Sequence, residues 1–377
     1  MRFVMKRHYD EDIRLFRHRS TLGWYVALVA ALAAAPVLVD TYALSQLTFI
    51  AIYSIASVGM MLLAGYTGQV SLGHAAFFAI GAYTSAIITT RGGPFLLALP
   101  ASGVLAALAG IVVGLPALRL SGLYLAIATM GFAFVVDEIL VRWESLTRGN
   151  LGIYVAAPSI GPFAFDSEAR YYYLALAVAI LTVLAARNLL RSPTGRAMIA
   201  IRDSEIAAQT MGVSLARYKT TAFAISAFLT GLAGCLYAHK LYFVNPESFT
   251  ILVSIEFLVM IIIGGVGSLH GAIYGTAFVI LLPQLIIAAK DYLPRHFQGQ
   301  PGLEAGLYGL MVILFIRFEP LGLYGRWLKL KYYFEMFPFY KRHIDFISDH
   351  AVDPDRRRYA VPDEAPRHYI DIDHYAM

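Results

Sequence analysis

From residue 23 to about residue 323 the chain alternates between long apolar runs and short polar or glycine-bearing breaks. A bilayer core about 30 Å thick takes roughly 20 residues of α-helix to cross. The runs at 23–39, 42–64, 70–90, 95–117, 122–141, 171–186, 219–238, 251–266, 268–289 and 303–323 therefore predict about ten transmembrane or re-entrant helices. The third and the eighth each adjoin a glycine-rich break and can be half-helices rather than full crossings. Short segments of alternating polarity, which a membrane β-barrel requires, do not recur. The predicted class is an all-α polytopic membrane protein.

The polar flanks orient these helices. Residues 1–22 form a basic arm carrying Arg2, Lys6, Arg7, Arg14, Arg17 and Arg19, and 326–377 form a polar tail of mixed charge with little apolar periodicity. The apolar run after the arm lacks an early small-residue cleavage pattern, so the first span is expected to be retained. Lys and Arg collect on the cytoplasmic side of membrane proteins. With the arm inside, six crossings bring the basic loop 187–218 back inside and ten do the same for Arg326, Lys329 and Lys331, so both termini are expected to be cytoplasmic. Composition agrees: 58% of residues are hydrophobic and 15% charged, too apolar for one soluble core. The net charge of +5 is accounted for by orientation, and no nucleic-acid partner is needed. The single cysteine, Cys235, excludes an intrachain disulfide and reads as a packing residue.

Loop 187–218 carries its own secondary-structure signals. Asp203 or Ser204 can cap a helix start, Glu205 sits favourably in the first turn, and Gly212 can end the helix in a left-handed conformation. A helix this short is marginal alone in water, so it is expected to gain stability by packing on something else.

Two glycine-rich breaks interrupt the apolar runs. The first, Gly65-Tyr-Thr67-Gly-Gln69-Val-Ser71-Leu-Gly-His74, puts polar side chains at membrane level, where free backbone groups are tolerated only inside protein or along a wet cavity. The second is Gly264-Gly265-Val-Gly267-Ser268. Paired interruptions of hydrophobic segments point to a transport pathway, so Thr67, Gln69, Ser71, His74, Gly264, Gly265, Gly267 and Ser268 are candidates to line it. Glu256 stands within an apolar run, where a carboxylate either orients a helix or serves gating or substrate contact. Asp137 and Glu138 fall near a span end and read as solvated. Neither His74 nor His270 has neighbouring ligands that would make a metal site.

Four blocks together resemble the branched-chain amino acid ABC permease family of the LivM kind: Gly65 to His74, Leu118-Arg-Leu-Ser-Gly-Leu-Tyr-Leu-Ala126, Ser192–Gly212 continuing into Ala216-Arg-Tyr-Lys219, and Gly264 to Leu269. Within the third, Glu205-x-Ala207-Ala208-x-x-x-Gly212 is similar to the coupling loop by which ABC importer permeases enter a cleft on the ATPase. The likeness covers about residues 40–325. It implies a permease domain over 23–325 in the bacterial inner membrane, paired with a second, similar permease. Two cytoplasmic ATPase subunits and a periplasmic substrate-binding protein would complete the machine. Arg202, Asp203, Glu205, Ala207, Ala208 and Gly212 would then form the ATPase contact. No Gly-x-x-x-x-Gly-Lys-Ser/Thr occurs in the chain, so ATP and Mg are expected on the partner subunits, and no cofactor or catalytic residue is expected here.

Two rival readings stand beside this one. Permeases of similar sequence serve urea, short amides and small organic acids. An ion-coupled secondary transporter or channel would use Glu256 and leave the 205–212 spacing unexplained. An intramembrane enzyme lacks support, since neither His-Glu-x-x-His nor Gly-x-Ser-x-Gly is present.

Overall fold

The computed structural model describes residues 19–336 apart from 119, 121, 162, 291–302 and 320. Most of the basic arm and the tail beyond 336 lie outside these residues. The described chain is a helical bundle: α1 Arg19–Leu38, α2 Thr41–Met60 with a π-turn over Met61–Gly65, α3 His74–Thr90, α4 Phe95–Ala117, α5 Leu123–Arg142, the one-turn α6 Glu144–Thr147, α7 Glu168–Arg191, α8 Pro193–Asp203, α9 Glu205–Thr210, α10 Leu215–Leu241, α11 Ile251–Gly264, α12 Leu269–Lys290, α13 Leu303–Phe318 and α14 Gly322–Met336. Among the described residues, seven helices are long and apolar enough to cross a membrane, or eight if the bent α13/α14 pair is one span. The two remaining predicted crossings are shorter. The apolar part of α1 is Gly23–Leu38, and α3 has 17 residues because the segment before His74 is not helical.

Helix α10 is the hub of the bundle and packs against α2, α3 and α4. Alanines 222, 227, 233 and 238 are fully buried along it. In lipid, where apolar surface gains little by leaving the solvent, such small residues let helices approach closely enough for dispersion contacts to hold them. The same device joins α11 to α12. Gly271 and Gly275 form a Gly-x-x-x-Gly face, and a Cβ at Gly275 would stand 1.8 Å from Met260 O.

Two features depart from the hydropathy pattern. The last apolar run does not continue as one helix to 323: α13 ends at Phe318, and Gly322, with φ +68°, starts α14. Helix α14 then runs straight through the 325/326 domain boundary drawn from composition. Leu323 packs on the core, and the Tyr324 ring stacks on His270 with centroids 5.7 Å apart. The second feature is a pair of small antiparallel ladders, β1 Ile153–Tyr154 with β4 Phe243–Val244 and β2 Ser159–Ile160 with β3 Phe163–Ala164. They lie at the end of the bundle away from α8 and α9. There Val155 N donates to Tyr242 O, and His239 Nδ1 donates to Ala156 O at 2.9 Å.

Candidate functional site

The α8–α9 elbow is built from local capping. Ser192 Oγ accepts from Gly195 N and sets Pro193 in the first turn of α8, as proline's fixed φ favours. Of the two residues expected to cap the next helix, Ser204 does so: its Oγ accepts from Ala207 N at 3.2 Å, while Asp203 closes α8. Gly212, with φ +84°, ends α9. Its N–H donates to Gln209 O and that of Val213 to Ala208 O. That pair of bonds is the Schellman stop, which needs a residue free to adopt the left-handed conformation.

Helix α9 is held on the bundle by charge. Glu205 Oε1 lies 2.6 Å from Lys219 Nζ in the second turn of α10, and the Lys219 side chain is 4% exposed against 46% for Glu205. A buried ammonium without a counter-charge is costly, so the carboxylate is committed to its own chain with one face open. Ala208 is buried beneath α9, whereas Ala207 is on its exposed side. The outer surface presents Ile206 and Met211, 79% and 86% exposed. Sequence reasoning passed over both. Their signal was two large apolar side chains, one in α9 and one at its C-cap, in a segment outside the membrane.

The two glycine-rich breaks meet. Gly267 N donates to Met61 Sδ at 3.2 Å, and a Cβ at Gly65 would stand 3.0 Å from Gly267 N. Residues 68–73 then return into the bundle as irregular backbone, exposed at Gly68 and Val70 but buried at Gln69, Ser71 and Gly73, and small hydroxyl side chains supply hydrogen bonds here. Thr67 Oγ1 donates to Leu63 O, Leu72 N donates to Thr129 Oγ1, and Ala75 N donates to Ser254 Oγ. His74 is fully buried at the centre. Ser226 Oγ gives its one proton to Gly59 O, so His74 Nε2 donates to Ser226 at 2.7 Å and Nδ1 accepts from Ser71. This network joins α2, α3, α5, α10 and α11 at one level. Thr129, Ser226 and Ser254 were invisible as partners because each is a lone small residue in an apolar run.

The family described as "Branched-chain amino acid transport system / permease component" matches residues 42–316, a stretch holding both breaks and the elbow. The chain belongs to this family. The high-affinity branched-chain amino acid transport system permease protein LivM of Escherichia coli (strain K12) is 35% identical over 323 residues, 79% of this chain and 73% of that one. The protein of the same name from Salmonella typhimurium is 34% identical over the same shares. A probable LivM of Methanocaldococcus jannaschii is 28% identical over 234 residues, 58% of this chain and 66% of that one. As a family member the chain is a transport subunit, a multi-pass protein of the bacterial inner membrane, and works with other ABC transporter components.

Four of the candidate residues have distinct surroundings. Ser268 Oγ accepts from Gly271 N and so caps α12, and Gly264 packs on Gly271. Glu256 is half-buried on α11, without a hydrogen-bond or ion-pair partner among the described residues, and lies near enough to Tyr53, Tyr237 and Tyr308 to interact electrostatically with each. Gln69 is 4% exposed, and neither its Oε1 nor its Nε2 has a partner among the described residues. An unpaired buried amide costs about 1–3 kcal/mol and persists in a native protein when something else uses it. Gln69→Met is therefore expected to raise the thermal unfolding midpoint of the detergent-solubilised protein by about 2–4 °C and to lower solute uptake at least fivefold. Wild-type uptake in that variant would remove Gln69 from the pathway.

Proposed function

We propose that the chain is the membrane half of an ATP-driven importer for branched-chain or related hydrophobic amino acids, with α9 as the element that docks on a cytoplasmic ATPase. The carrying observation is the elbow: a six-residue helix, capped at both ends and pinned by Glu205 to the buried Lys219, that turns Ile206 and Met211 outward. A surface helix spends exposed apolar side chains in this way where another surface covers them. Asp203, Glu205 and Ala207 supply the polar rim and the close approach, Ala208 and Gly212 set the helix in place, and ATP with Mg binds to the ATPase subunits. Two ATPases, a second permease of the same family and a periplasmic substrate-binding protein complete the assembly, with both termini of this chain cytoplasmic. Thr67, Gln69, Ser71, His74, Glu256 and the 264–268 break form or support the route. Few fixed charges among them suit a zwitterionic solute.

The test is uptake of labelled leucine into proteoliposomes holding the chain with its partner subunits, with and without ATP, for wild type and Ile206→Asp. ATP-dependent leucine uptake that falls at least tenfold in the variant, with the ATPase subunits no longer co-purifying, is the expected result. ATP-dependent uptake of urea or a short amide in place of leucine would reassign the solute and keep the architecture. Uptake that persists without ATPases and stops when the proton gradient is collapsed would move the coupling to the unpaired Glu256.

A further inference from the structure

Arg202 stands in the last turn of α8, two residues before the Ser204 cap of α9, and is exposed overall. Its guanidinium nevertheless turns inward. Nη1 donates to Gly65 O at 2.8 Å, and Gly65 is the last residue of the π-turn that ends the α2 span. The final carbonyls of a helix have no partner within it and carry its partial negative charge, so a cation there both satisfies an acceptor and opposes the dipole. The rest of the side chain follows the same surface: a Cβ at Gly68 would lie 3.7 Å from Arg202 Cα and Cγ, and one at Gly267 would lie 2.8 Å from Nη1. One side chain on the elbow therefore touches both glycine-rich breaks, which also touch each other through Gly65 and Gly267.

We propose that Arg202 is a strut that passes movement of the α8–α9 elbow to the two breaks, a positioning residue for transport rather than a contact to the ATPase. Besides the apolar packing of Met198 on Leu63, Ala222 and Phe223, the elbow has two polar attachments to the bundle among the described residues. Glu205 ties α9 to α10 through Lys219, and Arg202 ties α8 to the ends of the interrupted spans. A helix pushed from outside by a partner moves its neighbours through groups held in fixed contact, and a guanidinium that donates to the Gly65 carbonyl against Gly267, with its stem along Gly68, is such a group.

This inference rests on the coupling reading of α9, and its test separates the two. The assembled transporter is purified with its ATPase subunits and reconstituted, and ATP hydrolysis and leucine uptake are measured together for wild type, Arg202→Ala, Arg202→Lys and Ile206→Asp. The strut predicts that Arg202→Ala keeps the ATPase subunits and hydrolyses ATP within twofold of wild type, but lowers uptake per ATP at least tenfold. Arg202→Lys, which can still reach a single carbonyl, is expected to lose only two- to fourfold. Loss of the ATPase subunits from Arg202→Ala would make Arg202 a docking contact and overturn the strut, as would an uptake-to-hydrolysis ratio within twofold of wild type. If Arg202→Ala does not assemble, Arg202→Lys decides: a wild-type ratio in that variant overturns the proposal. Ile206→Asp reports on the coupling reading alone. If it keeps its ATPases and its uptake, docking by α9 fails whatever Arg202 does.

Discussion

Glu205→Ala is expected to lower ATP-driven uptake at least tenfold and to destabilise the elbow by about 2 kcal/mol, a value between those of exposed and buried ion pairs. The reason lies on both sides of one carboxylate. Toward the bundle it is the counter-charge of Lys219, whose side chain is 4% exposed; without it the ammonium is left desolvated and unpaired. Toward solvent, its 46% exposure leaves it open to a partner. Adding Lys219→Met separates the two roles, because a linear apolar side chain fills the same space and needs no counter-charge. The double variant is expected to regain the wild-type unfolding midpoint while uptake stays low. Full recovery of uptake in the double variant would show that Glu205 serves only its own chain, and the ATPase contact would then rest on Ile206 and Met211.

His74→Ala is expected to cost about 3–5 kcal/mol, comparable with truncating a large buried ring, because it leaves a cavity and strips Ser71 and Ser226 of their partner. The effect should be large since His74 is fully buried at the point where α3 begins inside the bundle. His74→Gln keeps a donor on a side chain of similar reach and is expected to recover at least half the yield of monodisperse protein. A wild-type midpoint for His74→Ala would mean that the start of α3 is held by Ala75 N on Ser254 and Leu72 N on Thr129 alone.

Most crossings were legible in the sequence because bilayer thickness sets helix length and the cost of burying charge sets composition. The runs predicted at 95–117, 251–266 and 268–289 match α4, α11 and α12 closely. The last run was drawn too long: Arg317, Glu319, Pro320 and Gly322 are helix-stop signals at the end of α13, and α14 starts from Gly322 and continues past residue 325. The elbow was legible as a capped helix ended by Gly212, since caps are local. Which face of that helix looks outward was not, because Ala207 and Ala208 are alike in sequence and differ only in what lies beneath them.

By itself the sequence determined that this is an all-α membrane protein, where its two breaks fall and that a short capped helix follows a basic loop, all features set by neighbouring residues and the solvent they meet. Only the tertiary structure decided that the breaks touch, that His74 bonds Ser226 across 152 positions of chain, that Glu205 answers Lys219 and that Arg202 turns inward to Gly65. Those pairings depend on how closely helices approach, and small residues permit that approach without specifying which partner will be met.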